Sequence, residues 1–163
     1  MVNREAIVSI VKGITEREAP PCKKSLQKIV FLIEAKGIPL GCDYGIHFYG
    51  PYSADLDYAV KELSDEGILE IEYTGTQHKI SVKDETMLAQ YADDTVRSVL
   101  QEFANDKPSE LELLTTALFV YLESNKDTSK ILDGVIKIKG NKYSQVRIQE
   151  AITRLKKTGY IAA

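Results

Sequence analysis

The sequence predicts a mainly α-helical fold with one small antiparallel β-hairpin, and three observations carry that expectation. Apolar residues recur at helical spacing through most of the chain. Strict alternation appears in one place, "ILEIEYTGTQHKISV", where Gly75-Thr76 turns one strand into the next. Gly, Pro and Asn interrupt the apolar runs at Gly37, Pro39, Gly67 and Gly140-Asn141. With 44% hydrophobic residues among 163, the chain can bury one sizeable core or two small ones.

The elements follow in order. In residues 3–12, Ile7, Val8, Ile10 and Val11 make a short amphipathic helix, which "GITEREAPP" is expected to end. A second helix begins after Pro20-Pro21. In "CKKSLQKIVFLIEAKG" the stripe of Leu26, Ile29, Val30 and Ile33 is widened by Phe31 and Leu32 almost all round, the pattern of a central core helix. Gly37 and Pro39 stop it. The loop "IPLGCDYG" leads to a brief strand "IHFY" and a Gly50-Pro51 corner. Ser53 can accept from a first-turn amide, Asp55 suits the positive helix end, and Leu56, Ala59, Val60 and Leu63 run to a capping Gly67.

After the hairpin, a polar-rich helix over residues 84–105, with Leu88, Tyr91, Thr95, Val99 and Phe103 on one stripe, reads as a connector or a dimer arm. Pro108 opens the apolar helix "SELELLTTALFVYLES". Two further helices, "ILDGVIKIKG" and "YSQVRIQEAITRLKKTGYIAA", are separated by Gly140-Asn141.

An internal repeat underlies this order. "YAVKELSDEGIL" aligns without gaps to "EAITRLKKTGYI", setting Ala59, Leu63 and Gly67 on Ala151, Leu155 and Gly159. Tyr52-Ser53 matches Tyr143-Ser144 with a one-residue slip, and "LQKIVF" parallels "LTTALF". Two helices, a capped helix and a hairpin make the layout of a winged helix-turn-helix. The chain therefore divides into a winged-helix-like acidic unit over residues 1–83, a connecting helix over 84–107 and a basic helix-turn-helix-like unit over 108–163.

Charge separates the two units. The net charge is -3, but residues 126–163 hold nine Lys/Arg against three acids, a sum of +6, which leaves -9 for residues 1–125. Asp55, Asp57, Glu62, Asp65 and Glu66 against Lys61 make the first capped helix unfit for phosphates. The last helix, by contrast, sends out Arg147, Arg154 and Lys157, with Lys137, Lys139 and Lys142 just before it. Arg and Gln pair with base edges and Lys with phosphates, so these six residues are the candidate double-stranded DNA contacts. A salt-bridged face built around Glu150, or attraction between the chain's own halves, is the alternative for the same charges.

"KKSLQKIVFLIEAKGIPL" followed by "IHFYGPYSADLDYAVKEL" resembles the bacterial and archaeal YwgA-like proteins and, more distantly, the Panacea or SocA-type antitoxin domain, over residues 22–83. An "LQK" helix followed after a loop by an aromatic "YGP" corner carries the resemblance. It implies neutralisation or chaperoning of a partner protein, or an adaptor role, with a contact surface near Leu26, Gln27, Lys28, Tyr49, Gly50 and Pro51. Tyr44, Phe48, Tyr49, Tyr52 and Tyr58 crowd around the same corner, which reads as core and loop packing or as a partner groove that includes Tyr52.

Little supports catalysis. His47 and His78 are the only histidines, and Gly-rich phosphate loop, GxSxG and HExxH patterns are missing. Cys22, Cys42, His47 and His78 could form a zinc set only without the usual paired spacing, so neither a metal nor a cofactor is expected. Two scattered cysteines read as reduced thiols. No apolar run reaches membrane length and the start lacks a signal-peptide pattern, so a cytoplasmic protein without membrane contact is expected. The resulting expectation is a non-enzymatic DNA-binding or transcription-linked regulator that can form a homodimer. An antitoxin-like or adaptor protein that binds only protein is the second reading.

Overall fold

The computed structural model describes residues 1–86 and 93–163. Among them stand α1 (Arg4–Arg17), α2 (Lys23–Ala35), β1 (Gly45–His47), β2 (Gly50–Tyr52), α3 (Ala54–Asp65), β3 (Leu69–Thr74), β4 (Gln77–Val82), α4 (Asp94–Phe103), α5 (Pro108–Glu123), α6 (Ile131–Lys139) and α7 (Gln145–Lys157). The protein is mainly helical, with two small antiparallel hairpins, β1–β2 and β3–β4.

Two apolar helices form the centre. Every residue from Ser25 to Ile33 in α2 is buried, as the all-round apolar pattern predicts. It touches α1, α3, α4 and α5, while α5 also carries α6 and α7. Buried side chains from Ala6 to Ile161 join in one continuous cluster. Phe31 of α2 lies 6.5 Å from Phe119 of α5, centroid to centroid, so aligned positions of the repeated segments "LQKIVF" and "LTTALF" meet.

The repeat is strongest at helix ends. Ser53 accepts from Leu56 N and Ser144 from Arg147 N, both at 3.2 Å. Past the other ends, Gly67 and Gly159 take φ of 78° and 82°, and Ile68 N and Tyr160 N return to Leu63 O and Leu155 O, both at 2.9 Å. Positive φ is why glycine occupies both sites.

The β3–β4 hairpin turns at Gly75-Thr76 with Leu69 opposite Val82, in the expected register. Its core-facing side tapers from buried Leu69 through half-buried Ile71 to Tyr73, which is exposed. A chain segment before α2 adds to this sheet: Cys22 bridges Lys79 and Ile80 N donates to Pro21 O at 2.8 Å.

Three expectations need correction. The first helix runs to Arg17 through Gly13, because α4 crosses there: a Cβ on Gly13 would sit 2.6 Å from Leu100 Cδ1. Close approach of a neighbouring helix favours the glycine more than propensity opposes it. The helix expected over residues 84–105 is, in its described part, Asp94–Phe103, capped by Asp93. Its buried stripe is Val96, Val99, Leu100 and Phe103, without Thr95, while Leu88 and Tyr91 lie outside the described residues. That stripe is covered by α1 and α2 of the same chain. Finally, "IHFYGPY" is a second hairpin, in which Ile46 pairs with Pro51 and Phe48-Tyr49 form the turn, so Gly50-Pro51 lies in a strand. Proline fits because β2 is an edge strand, and all three β1 residues are exposed, leaving no alternation to read.

Candidate functional site

The β1–β2 hairpin is held from three sides. Gln27, buried in α2, pairs with the Ser53 backbone as a strand would, its Nε2 donating to Ser53 O at 2.9 Å and its Oε1 accepting from Ser53 N at 2.8 Å. One turn position on, Lys28 Nζ donates to Pro51 O at 2.9 Å. From the carboxyl-terminal half, Lys139 Nζ donates to Phe48 O at 2.5 Å. Gly50 has φ of 97°, and a Cβ there would stand 3.0 Å from Thr116 Oγ1 and 3.5 Å from Lys28 Cε. The "LQK" helix and the "YGP" corner are thus two parts of one lock.

Behind the hairpin lies a buried ionic hub. Glu112, 4% exposed in an otherwise apolar stretch of α5, accepts from Lys142 at 2.7 Å and from the Tyr143 hydroxyl at 2.8 Å. It also pairs with Lys139 at 3.1 Å. Burial alone would raise the Glu112 carboxyl, but hydrogen bonds from Lys142, Tyr143 and Lys139 outweigh it and hold the group below the usual carboxylate range. Burial pulls Lys28 down to about 8, against the attraction of Glu112. Burial, then the bond to Glu112, pushes the Tyr143 hydroxyl up.

The tip of the hairpin faces water. Phe48 is 81% exposed and Tyr49 44%, their rings edge to face at 5.0 Å. Lys24 Nζ stands 3.5 Å above the centre of the Tyr49 ring, and Lys142 Nζ is 5.8 Å from the same centre. A cleft of about 320 Å³ opens between the hairpin and the first turns of α2.

The residues expected to contact DNA are placed differently. Besides Lys139 and Lys142 on Glu112, Arg147 pairs with Glu110, and Arg154 pairs with Asp106 and, at 3.3 Å, with Glu102. Arg154 also stacks 4.7 Å over Phe103. Lys137 and Lys157 are exposed, and no ion pair engages either among the described residues. Of the residues the resemblance placed at a contact surface, Leu26, Gln27, Lys28, Gly50 and Pro51 are buried, Tyr52 is half-buried and Tyr49 is exposed.

The four residues weighed as a zinc set have other contacts, and no group of three His, Cys, Asp or Glu among the described residues could hold a metal ion. Cys22 caps α2, its Sγ accepting from Ser25 N at 3.5 Å. Cys42 is buried, which pushes its thiol up to about 12. His47 packs at a tilt against Tyr52 and His78 edge to face against Tyr73, both at exposed positions. Sequence reasoning passed over Phe48 as the exposed tip, Lys24 and Glu112. A lone carboxylate within "LELLTTALF" is the signal that marks Glu112.

No family model matches the chain. The "Uncharacterized protein YwgA" of Bacillus subtilis (strain 168) is 38% identical to it over 47 residues, which are 29% of this chain and 28% of that protein. The similarity is therefore partial, and it spans less than a third of that relative's length. No helix among the described residues is long and apolar enough to cross a membrane.

Proposed function

We propose that this chain is a non-enzymatic protein-binding module, an adaptor or antitoxin-like protein, that engages its partner through the β1–β2 hairpin. The observation that carries this reading is the exposure of Phe48, at 81%, on a hairpin braced by Lys139 at the turn, by Lys28 at Pro51 and by Gln27 at Ser53. A large aromatic held rigidly in water is a preorganised anchor, the type of residue that dominates protein interfaces. The scaffold is winged-helix-like. Its support is the order α1, α2, α3, β3–β4, together with the Cys22–Lys79 bridge that lays a third strand segment on the hairpin.

The DNA-regulator reading has less to stand on. With Lys139, Lys142, Arg147 and Arg154 engaged by the protein's own acids, two of its six cations remain. Two phosphate contacts give a log–log salt slope of only about -2.

The test installs benzoylphenylalanine at position 48 of the full chain and irradiates cells that express it. One stoichiometric protein adduct, abolished by moving the probe to exposed Val146, is the expected result. A nuclease-sensitive nucleic-acid adduct, or no adduct at either position, overturns the reading.

A further inference from the structure

The cleft beside the hairpin gathers more positive charge than the protein's own carboxylates balance. It is lined by Lys23, Lys24, Lys28, Phe48, Tyr49 and Asp57, among others. Asp57 is taken by Lys23 at 3.5 Å. Lys24, exposed, has no carboxylate within ion-pair distance among the described residues and rests on the Tyr49 ring. Lys28 is 3% exposed and gives its observed hydrogen bond to an uncharged carbonyl, Pro51 O. Glu112, which attracts Lys28, already serves Lys139, Lys142 and Tyr143. Lys139 and Lys142 thus occupy Glu112, Lys23 occupies Asp57, and Lys24 and Lys28 line the cleft without a carboxylate in ion-pair contact among the described residues. A cation surplus in a half-buried site is costly unless an anion completes it.

We infer that this cleft receives a carboxylate from an acidic segment of the partner protein, an Asp or Glu side chain set between Lys24 and Lys28 while Phe48 covers an adjacent apolar residue. The inference rests on the hairpin being the docking surface. A peptide fits the electrostatics better than a nucleic acid does. Residues 1–125 carry -9, and α3, which borders the cleft through Asp57, contributes Asp55, Asp57, Glu62 and Asp65. A duplex with one charge per roughly 1.7 Å must run across that acidic surface, and repulsion accumulates along it. A single carboxylate inside the cleft feels mainly the ammonium groups a few ångströms away, because more distant surface charge is screened. The volume, about 320 Å³, suits one or two side chains.

The experiment titrates the isotope-labelled full chain with acetyl-Leu-Glu-Phe-amide and with its Gln counterpart, following backbone amide resonances. The Glu peptide should move Lys24, Tyr49 and Gly50 and bind roughly tenfold more tightly than the Gln peptide, the size of one charge-assisted hydrogen bond. Lys24→Gln, an exposed change outside the core, should abolish that preference while the rest of the spectrum stays in place. Equal affinity for the two peptides, or shifts confined to other elements, overturns the inference. So does saturable movement of the same amides by a short DNA duplex with none by the Glu peptide. An adduct from position 48 without Glu preference removes the carboxylate site alone and leaves the hairpin as the contact surface. Absence of both removes both.

Discussion

Replacing Lys28 by Met should change how stability responds to alkaline pH. Lys28 is 3% exposed, and burial pulls its pKa from 10.5 to about 8. The unfolded chain keeps the ordinary value, so between about pH 8 and pH 10.5 it binds more protons than the folded protein. Stability from this group therefore rises with pH across that window. A shift of about 2.5 units corresponds to a penalty of about 3 kcal/mol, present in full below pH 8 and relieved by pH 10.5. Relative to Lys28→Met, the parent should gain about 1.4 kcal/mol between pH 7 and pH 9, and about 2.5 kcal/mol by pH 10. Tyr44, Tyr143 and Tyr160, all pushed up by burial, act in the opposite sense. They act alike in both proteins, so the difference isolates Lys28. At neutral pH the variant also leaves Pro51 O without its donor, about 1–3 kcal/mol in the other direction, so the absolute sign there is not diagnostic. Urea unfolding at the three pH values, followed by circular dichroism, measures the gap. A gap that stays flat, or moves towards the Met variant as pH rises, refutes the reasoning.

Three further changes probe the lock and the core. Gln27→Leu keeps most of the volume but strands Ser53 N, about 1–3 kcal/mol, and leaves Ser53 O with the Asp57 amide alone; thermal melting should fall by roughly 3–10 °C, and a drop of a degree or less would show that the clamp contributes little. Glu112→Gln leaves Lys139 and Lys142 without their carboxylate and should cost about 3–5 kcal/mol at neutral pH. Because the folded Glu112 carboxyl lies below its unfolded value of 4.5, its stabilisation is complete above that pH and fades as pH falls, so the gap between the urea midpoints of parent and variant should narrow progressively below pH 4.5. Gly134→Ala places a Cβ 2.4 Å from Val120 Cγ1 and should destabilise by about 1–3 kcal/mol despite better helix propensity. Adding Val120→Ala should recover part of the loss, and a double-mutant cycle with no coupling would deny the contact.

Helix ends were legible because their chemistry is local. A serine three residues before an amide it can accept from, and a glycine where φ must be positive, announce α3 and α7 without knowledge of what surrounds them. The β3–β4 hairpin was legible for the same reason, through alternation around a two-residue turn. The β1–β2 hairpin was not, since three-residue strands with no buried face carry no period. Charge partners were harder still. Arg147 and Arg154 stand at helical spacing from Glu150, but they turn to Glu110 and Asp106, 37 and 48 residues away. Only tertiary packing brings those groups together. Gln27 and Lys28 stood out through resemblance alone, and their geometry supplies the reason: each ties the corner to the core.

The meeting of Phe31 with Phe119 has a consequence for how such a chain can diversify. Counterpart touching counterpart is the arrangement two identical subunits adopt about a dyad. In a true homodimer every substitution is made twice, so an acidic surface helix on one copy entails another on its mate. Joining the copies end to end removes that obligation. Residues 54–66 carry -4, while α7 carries Arg147, Arg154, Lys156 and Lys157 against Glu150 alone. Each half can then carry its own sign of charge and its own ion pairs, an asymmetry no pair of identical chains can encode.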